Sequence, residues 1–220
     1  YAVLRKYPPE TNLCSTAAIH SRMRITDVDG RDLLFQLDDL LTPEECATLI
    51  ARAHAVQPSS ETGDKSWHPP TDNTGQYSRV VMWDRELAAD LWERVRGVLP
   101  DKHRGYSFKY INPCFRFSRY DVDGKFPLHT DGKNYDNGPD GIDTESLFTL
   151  NIFLNDDFKG GATDFFSKRG RSARLRYRVE PQTGRAALFW ADQLHRGNVV
   201  ETPYKYLIRT DVMGVRDWGR

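Results

Sequence analysis

The stretch FPLHTDG, residues 126–132, decides how the rest of the sequence is interpreted. If it forms a strand as far as Asp131, side chains two positions apart point the same way, so His129 and Asp131 share a face. A third candidate ligand, His195, follows later in the sequence LHRGN. Two imidazoles and one carboxylate are a known ligand set for Fe(II), which they hold on one side while other coordination positions stay open. We therefore predict a metal site at His129, Asp131 and His195.

The sequence around this motif predicts a mainly β (α+β) protein. From residue 106 onward, strand-like runs alternate with turns rich in Gly, Asp and Asn. The predicted strands are 106–120, 126–131, 145–155, 161–166, 173–180, 185–190, 194–200 and 204–213. So many strands after two helices are typical of a jelly-roll barrel.

Two helices are predicted before the strands. The first begins after Thr42, which can form a capping box with Glu45, and ends near residue 56. The second begins after Asp84 and ends near residue 99. Short strands are predicted over 24–38 and 78–83, and a loop over 57–76.

Four stretches together carry a resemblance to a known family. They are RFSRYDVDGKFPLHTDG (116–132), SLFTLNIFLNDDFKGGATDFF (146–166), GRAALFWADQLHRGN (184–198) and KYLIRTDVMG (205–214). With them, the chain resembles the Fe(II)/2-oxoglutarate-dependent dioxygenases, and within these the prolyl 4-hydroxylase-like branch. The resemblance implies a double-stranded β-helix (jelly-roll) barrel with the N-terminal helices packed on one sheet. We expect a single domain over residues 1–220, with a helical support region at 1–105 and the catalytic core at 106–214.

The resemblance also suggests where 2-oxoglutarate binds. Lys205 lies ten positions after His195, like the family's basic residue for the distal carboxylate of 2-oxoglutarate. Arg209 competes for this role but lies four residues further on, about 13 Å along an extended strand. We choose Lys205, because a lone inward lysine would otherwise be a costly buried charge. Tyr120 matches the tyrosine that reaches 2-oxoglutarate from the first barrel strand of the family.

The strand predicted over 145–155 has two different faces. The face with Phe148, Leu150, Ile152 and Leu154 is wholly apolar and should be core, whereas the other reads Leu147, Thr149, Asn151 and Phe153. Buried polar groups need partners. Thr149 and Asn151 therefore bind either the cosubstrate or neighbouring backbone.

Candidate substrate residues lie near the predicted barrel mouth. Arg116 should point inward if Tyr120 does, and it could pair with a substrate carboxylate or form a salt bridge. The segment 57–78 and the polar loop 132–144 add further candidates, since loops of this length are usually functional or disordered. From these two segments and the residues beside them we choose Arg79, Tyr77 and Tyr135.

The resemblance implies an oxygenase that uses Fe(II), 2-oxoglutarate and O2, with ascorbate as a further candidate cofactor. It would hydroxylate an unactivated C–H bond of a prolyl residue in a peptide, or of a free amino acid, and release succinate and CO2. Family halogenases have Gly or Ala in place of the carboxylate, and Asp131 excludes that variant. Two alternatives stay open: a low-turnover oxygen- or metabolite-sensing module on the same site, and a nucleic-acid demethylase of the same superfamily.

Composition narrows the partners. Among 220 residues, Lys+Arg and Asp+Glu both number 31, which argues against a general affinity for nucleic acid or anionic membranes. The basic segment Lys168–Arg178 is either a solvated strand and turn or a local binding patch.

Cys14, Cys46 and Cys114 form neither a disulfide framework nor a zinc pattern. With no run of 18 apolar residues and no signal-peptide core, we expect a cytoplasmic protein with a small-molecule or peptide substrate and no membrane partner; the oligomeric state stays open.

Overall fold

A computed structural model describes residues 24–27, 33–69, 77–167 and 173–217, with the backbone alone described for 24–27. Cys14 and the first part of the basic segment 168–178 lie outside the described residues. None of the helices in the described ranges has the length and apolarity that a bilayer crossing requires.

Antiparallel strands dominate the described chain. The strands are β1 Arg24–Asp27, β2 Leu34–Asp38, β3 Lys65–His68, β4 Ser78–Trp83, β5 Lys102–His103, β6 Tyr106–Ile111, β7 Cys114–Tyr120, β8 Phe126–His129, β9 Tyr135–Asn137, β10 Asp143–Phe153, β11 Thr163–Ser167, β12 Arg174–Val179, β13 Ala186–Trp190, β14 His195–Gly197 and β15 Lys205–Arg216. Helix α1 spans Pro43–Ala55 and helix α2 spans Arg85–Val95, followed by a short 3-10 turn at Arg96–Val98.

The strands form a larger and a smaller sheet. Within the described residues the larger sheet runs β1-β2-β13-β10-β15-β7-β4-β3, with β6 and β9 paired to β15 and β10 and with β5 paired to β6. The smaller sheet runs β12-β11-β14-β8. Strands from before residue 105 thus share a sheet with strands from after it. The prediction of a mainly β barrel with two N-terminal helices is confirmed.

The helices cover the outer face of the larger sheet, as the resemblance implied. Their buried residues, among them Cys46, Leu49, Leu91 and Val95, share one hydrophobic cluster with sheet residues such as Phe148. Burying a large apolar side chain of this kind contributes about 1.5–3 kcal/mol.

Helix α1 begins with the predicted capping box. The backbone N–H of Glu45 donates to the Thr42 hydroxyl at 3.2 Å, and the backbone N–H of Thr42 donates to the Glu45 carboxylate at 2.8 Å. The fully buried Arg94 of α2 donates to the same carboxylate at 2.8 and 3.0 Å and to the carbonyl of Leu40 at 3.0 Å. One arginine therefore joins the start of α1 to α2.

The strand boundaries differ from the prediction in several places. β8 ends at His129 instead of residue 131, β14 ends at Gly197 instead of residue 200, β15 continues to Arg216, and β9 lies inside the predicted polar loop 132–144. The run predicted over 106–120 is interrupted at Asn112 and Pro113, and its two parts pair with successive lengths of β15. Proline cannot donate to a strand ladder, which accounts for the interruption. The predicted loop over 57–76 contains a strand, β3, which pairs with β4; its residues Lys65–His68 lack the apolar alternation by which strands are recognised.

A bulge in β10 changes the face assigned to one residue. The register of β10 against β15 shifts between Ser146 and Phe148. Leu147 therefore lies in the same hydrophobic cluster as Phe148 instead of facing the barrel interior with Thr149. A second cluster, which includes Phe153, Phe165 and Phe189, fills the space between the two sheets.

Candidate metal centre

The three predicted metal ligands meet between the two sheets. His129 at the end of β8 lies directly opposite His195 at the start of β14, and their ring centroids are 4.2 Å apart. Asp131 follows two residues after β8, and its backbone N–H donates to the carbonyl of Ala191 at 2.9 Å. One ligand atom from each of the three residues lies within 4.8 Å of the other two. This separation suits one shared cation.

Both histidines present the same ring nitrogen to this point. Nδ1 of His129 donates to the carbonyl of Pro127 at 2.8 Å, and Nδ1 of His195 donates to the carbonyl of Gln193 at 2.9 Å. A carbonyl can only accept, so each Nδ1 carries the proton and each Nε2 keeps its lone pair. The Nε2 atoms lie 3.5 and 3.8 Å from the Asp131 carboxylate. Backbone bonds of this kind fix the tautomer and orientation of metal-binding histidines.

The carboxylate of Asp131 is held from the larger sheet. The Thr149 hydroxyl donates to its Oδ2, and the Arg209 guanidinium lies 3.3 Å from its Oδ1. Burial acts to raise the pKa of Asp131, but the charge of Arg209, the adjacent imidazoles of His129 and His195 and the hydrogen bond from Thr149 outweigh it and hold the pKa well below its usual range. Asp131 is therefore ionised at neutral pH.

The neighbouring His195 is neutral at pH 7. Burial lowers its pKa to about 4, although the charge of Asp131 acts in the opposite direction. At pH 7 the site thus offers a neutral imidazole from His195 and a carboxylate from Asp131. Metal ligands must be deprotonated before they bind, so these residues fit a divalent cation such as Fe(II) without a titration step.

A central cavity opens beside the three ligands. It is lined by Tyr77, Arg79, Arg116, Ser118, Tyr120, Phe126, His129, Asp131, Asn151, Thr163, His195, Gly197, Lys205, Leu207 and Arg209. Nine of the predicted site residues are in this set, together with Arg209, which was considered as a competitor of Lys205.

Lys205 lies in the cavity wall with its amine buried among aromatic rings. Its side chain is 2% exposed, and its Nζ lies 5.1 Å from the ring centroid of Tyr120 and 5.3 Å from that of Phe153. Its hydrogen bond is to the carbonyl of Gly161 at 2.6 Å. Burial lowers the pKa of Lys205 to about 7. No carboxylate from the described residues pairs with it, so the pocket suits an anionic ligand.

Thr149 and Asn151, the polar residues singled out on β10, make different contacts. Asn151 lines the cavity, and its buried Oδ1 has no hydrogen-bond partner among the described residues. Thr149 does not line the cavity, since its hydroxyl is bonded to Asp131. Its contact is therefore with a predicted metal ligand rather than with the expected cosubstrate or the backbone.

Tyr135 lies away from the other candidate substrate residues. It is 75% exposed on β9 and does not line the cavity, so its position gives no support to the expected substrate contact. Tyr77 and Arg79 do line the cavity, and the Arg79 guanidinium donates to the Tyr77 hydroxyl.

Two residues that sequence reasoning missed support the site from behind. Asp211 is fully buried and lies 3.2 Å from Arg209 and 3.4 Å from Arg116. The Asn134 amide donates to the same carboxylate at 2.7 Å. The alternation of Lys205, Arg209 and Asp211 on one strand was a usable signal for Asp211. Asn134 gave none, because its contact depends on how the polar loop folds back.

Comparison with known sequences gives a family match over the same region. Residues 115–210 match the sequence model described as the 2OG-Fe(II) oxygenase superfamily. The match spans β7 to β15 and so includes all three candidate ligands and Lys205. No curated protein sequence matches the chain significantly.

Solved structures share the fold at low sequence identity. The viral collagen prolyl hydroxylase of Paramecium Bursaria Chlorella virus-1, in complex with 2OG, aligns at 18% identity and a TM-score of 0.55, over 83% of this chain and 96% of the viral one. A Pseudomonas putida prolyl-4-hydroxylase aligns at 15% identity and a TM-score of 0.53, over 93% and 100%. An oxidoreductase of the 2OG-Fe(II) oxygenase family from Burkholderia pseudomallei aligns at 17% identity and a TM-score of 0.52, over 92% and 93%.

Proposed function

We propose that this chain, whose residues 115–210 match the 2OG-Fe(II) oxygenase superfamily, is a 2-oxoglutarate-dependent dioxygenase that hydroxylates an unactivated C–H bond of a prolyl residue in a peptide or of a free amino acid. In this proposal O2 is consumed, succinate and CO2 are released, and ascorbate is a further candidate cofactor. His129, Asp131 and His195 hold the iron.

The observation that carries this proposal is the orientation and hydrogen bonding of the three candidate metal ligands, His129, Asp131 and His195. Both imidazoles turn Nε2 towards the Asp131 carboxylate while Nδ1 is bonded to a backbone carbonyl. Thr149 and Arg209 hold the carboxylate from the opposite sheet. When bound, iron and 2-oxoglutarate supply the oxidative chemistry. The residues of the chain fix the ligand geometry and line the cavity beside it.

The distal carboxylate of 2-oxoglutarate is assigned to Lys205. The buried amine of this residue needs a negative partner, and a dianion supplies one. Tyr120, which packs against Lys205 in the wall, and Asn151, which lines the cavity and whose amide N–H can donate to a carboxylate, complete the proposed pocket.

The fold likeness and the residues of the cavity wall support the proposed substrate class. Two of the solved structures with this fold are named as prolyl hydroxylases, which favours a prolyl substrate. Tyr77, Arg79 and Arg116 line the cavity on the side of β4 and β7. An aromatic ring with guanidinium groups suits a peptide or an amino acid.

A spectroscopic experiment tests the assignment of the site. Fe(II) and 2-oxoglutarate are added to the protein without O2, and the visible spectrum is recorded. We expect a weak charge-transfer band with one iron per chain. Bound iron without the band would contradict chelation by 2-oxoglutarate.

A turnover experiment then tests the substrate. Succinate release is measured across pools of free amino acids and proline-containing peptides, with O2 present. We expect release to rise above the substrate-free rate with at least one pool, together with a product heavier by one oxygen atom. A band without any stimulated pool would contradict the proposed substrate class and favour a sensing role.

A further inference from the structure

Three arginines face the central cavity from adjacent strands of the larger sheet. Arg209 of β15 is the register partner of Arg116 on β7, and Arg79 of β4 is the partner of Ser118, two positions further along β7. Side chains at such direct and diagonal positions lie on one face and within reach of one another. All three line the cavity that contains His129, Asp131 and His195.

Arg209 is already paired with two carboxylates at the candidate metal site. It lies 3.3 Å from Asp131 and 3.2 Å from Asp211. The other oxygen of Asp211 already accepts from Asn134 at 2.7 Å, and Arg116 reaches that oxygen at only 3.4 Å. The positive charge of Arg116 is therefore only weakly compensated by a carboxylate.

The positive charge of Arg79 is compensated even less than that of Arg116. It donates to the neutral hydroxyl of Tyr77 and lies over that ring, 5.2 Å from its centroid. Its buried Nε has no hydrogen-bond partner in the described part of the chain. A guanidinium carries five donors and is always charged, so Arg79 has donors to spare towards the cavity.

The charges of the filled site do not balance. Among the described residues, Arg79, Arg116, Lys205 and Arg209 face two carboxylates, Asp131 and Asp211. A divalent iron and dianionic 2-oxoglutarate together add no net charge. Within the described ranges, positive charge on the side of Arg79 and Arg116 stays uncompensated, and such charge is costly in a partly buried cavity.

We infer that the substrate presents a free carboxylate to Arg79 and Arg116. This inference rests on the proposed function and narrows it: the substrate is a free amino acid, or the C-terminal residue of a peptide, rather than a residue inside a chain. A carboxylate accepts two parallel N–H groups from one guanidinium and compensates its charge. The neutral carbonyl of an internal residue would accept hydrogen bonds without compensating the charge.

The test uses matched acids and amides. Protein loaded with Mn(II) and 2-oxoglutarate is titrated with L-proline, with the dipeptide Ala-Pro and with the other free amino acids, each against its carboxamide, by calorimetry. Succinate release with Fe(II) and O2 is measured for the same set and for N-acetylated, amidated proline peptides. We expect at least one acid to bind and to be turned over about tenfold better than its amide, or more, since a charged hydrogen bond is lost in the amide.

Three variants locate the effect. Arg79→Gln and Arg116→Gln should each bring the affinity for the acid down to that for the amide, and Arg116→Lys should recover part of it. Arg119→Gln is the matched control, because Arg119 lies on the same strand but stacks on the outer rings of Trp67 and Tyr204. The affinity for 2-oxoglutarate, followed anaerobically by the visible band, should be unchanged in all of them.

Each contrary outcome identifies what fails. Amides or internal proline peptides that serve as well as acids, or a panel in which no acid binds, would overturn the inference while the band keeps the dioxygenase site intact. A weakened band in Arg116→Gln would also overturn it, because the arginine would then bind the cosubstrate. Loss of the band in the unsubstituted protein would instead refute the proposed function.

Discussion

Lys205 and Arg209 lie on one face of β15, but their surroundings give them different tasks. Arg209 is anchored by Asp131 and Asp211. Lys205 has no carboxylate beside it among the described residues and lies in an aromatic wall. The paired guanidinium is placed to position a candidate metal ligand, whereas the buried amine without a carboxylate partner is suited to bind an anion. The sequence spacing favoured Lys205 for 2-oxoglutarate, and the contacts of the two residues support the same proposal.

Substituting each residue should therefore affect a different ligand. A charged hydrogen bond in such a pocket is worth about 1.5–3 kcal/mol, so Lys205→Ala should raise the apparent KM for 2-oxoglutarate roughly ten- to a hundredfold, with little change in iron affinity. Arg209→Ala should weaken iron binding, because it removes a charge that holds Asp131. Steady-state kinetics and metal titration measure the two effects. If Arg209→Ala gives the larger effect on 2-oxoglutarate, the two roles must be exchanged.

The buried amine should also make 2-oxoglutarate binding dependent on pH. Burial lowers the pKa of Lys205 to about 7, and a dianion binds the protonated form. Above pH 7 the amine must take up a proton on binding, so the affinity should fall by up to about tenfold per pH unit between pH 7 and 8.5. The charge-transfer band, titrated at saturating Fe(II), measures this. Lys205→Arg is the control: a guanidinium stays protonated, and an equally steep fall in that variant would contradict the assignment.

At the scale of elements, patterns within one strand were predictable and contacts between distant strands were not. The i, i+2 alternation placed His129 beside Asp131 and Lys205 beside Arg209, and the capping box located α1. The bulge that turns Leu147 into the core depends on pairing with a strand some 65 positions away. The contact of Asn134 with Asp211 depends on the same long-range register. Sequence periodicity contains no information on such pairings.

The close contact between the backbone at Gly184 and that at Leu41 allows a stability test. Gly184 has φ +79°, and a Cβ there would lie 2.0 Å from the carbonyl oxygen of Leu41 at the entry to α1. Gly184→Ala combines left-handed backbone strain with a steric clash, and we expect a loss of about 2–4 kcal/mol in the free energy of unfolding. Gly105→Ala is the matched control, with φ +78° and open space around the added Cβ; it should lose about 1 kcal/mol. Urea unfolding of both variants measures the difference, and equal losses would refute the role of the contact with Leu41.

At the scale of the whole molecule, Asp131 joins the two sheets of the barrel. The smaller sheet supplies His129 and His195, while Thr149 and Arg209 reach the carboxylate from the larger one. A cation bound here contacts residues that are fixed by both sheets. Because this arrangement exists only in the folded chain, metal binding should stabilise the whole fold and not merely the loop around the site.

This coupling predicts a thermal shift that depends on the three ligands. Mn(II), which avoids oxidation, should stabilise the protein by about 2.7 kcal/mol at a concentration of 100 times its Kd. For a chain of this size that corresponds to a rise in Tm of about 5–11 °C. His129→Ala, Asp131→Ala and His195→Ala should each fold, lose most of the rise and abolish turnover with Fe(II). His54→Ala is the control, since His54 lies outside the cavity with its Nε2 3.1 Å from the Tyr206 hydroxyl, and it should keep the full shift. A rise of the same size in His195→Ala would show that the cation binds elsewhere, and the site proposed between the sheets would then be wrong.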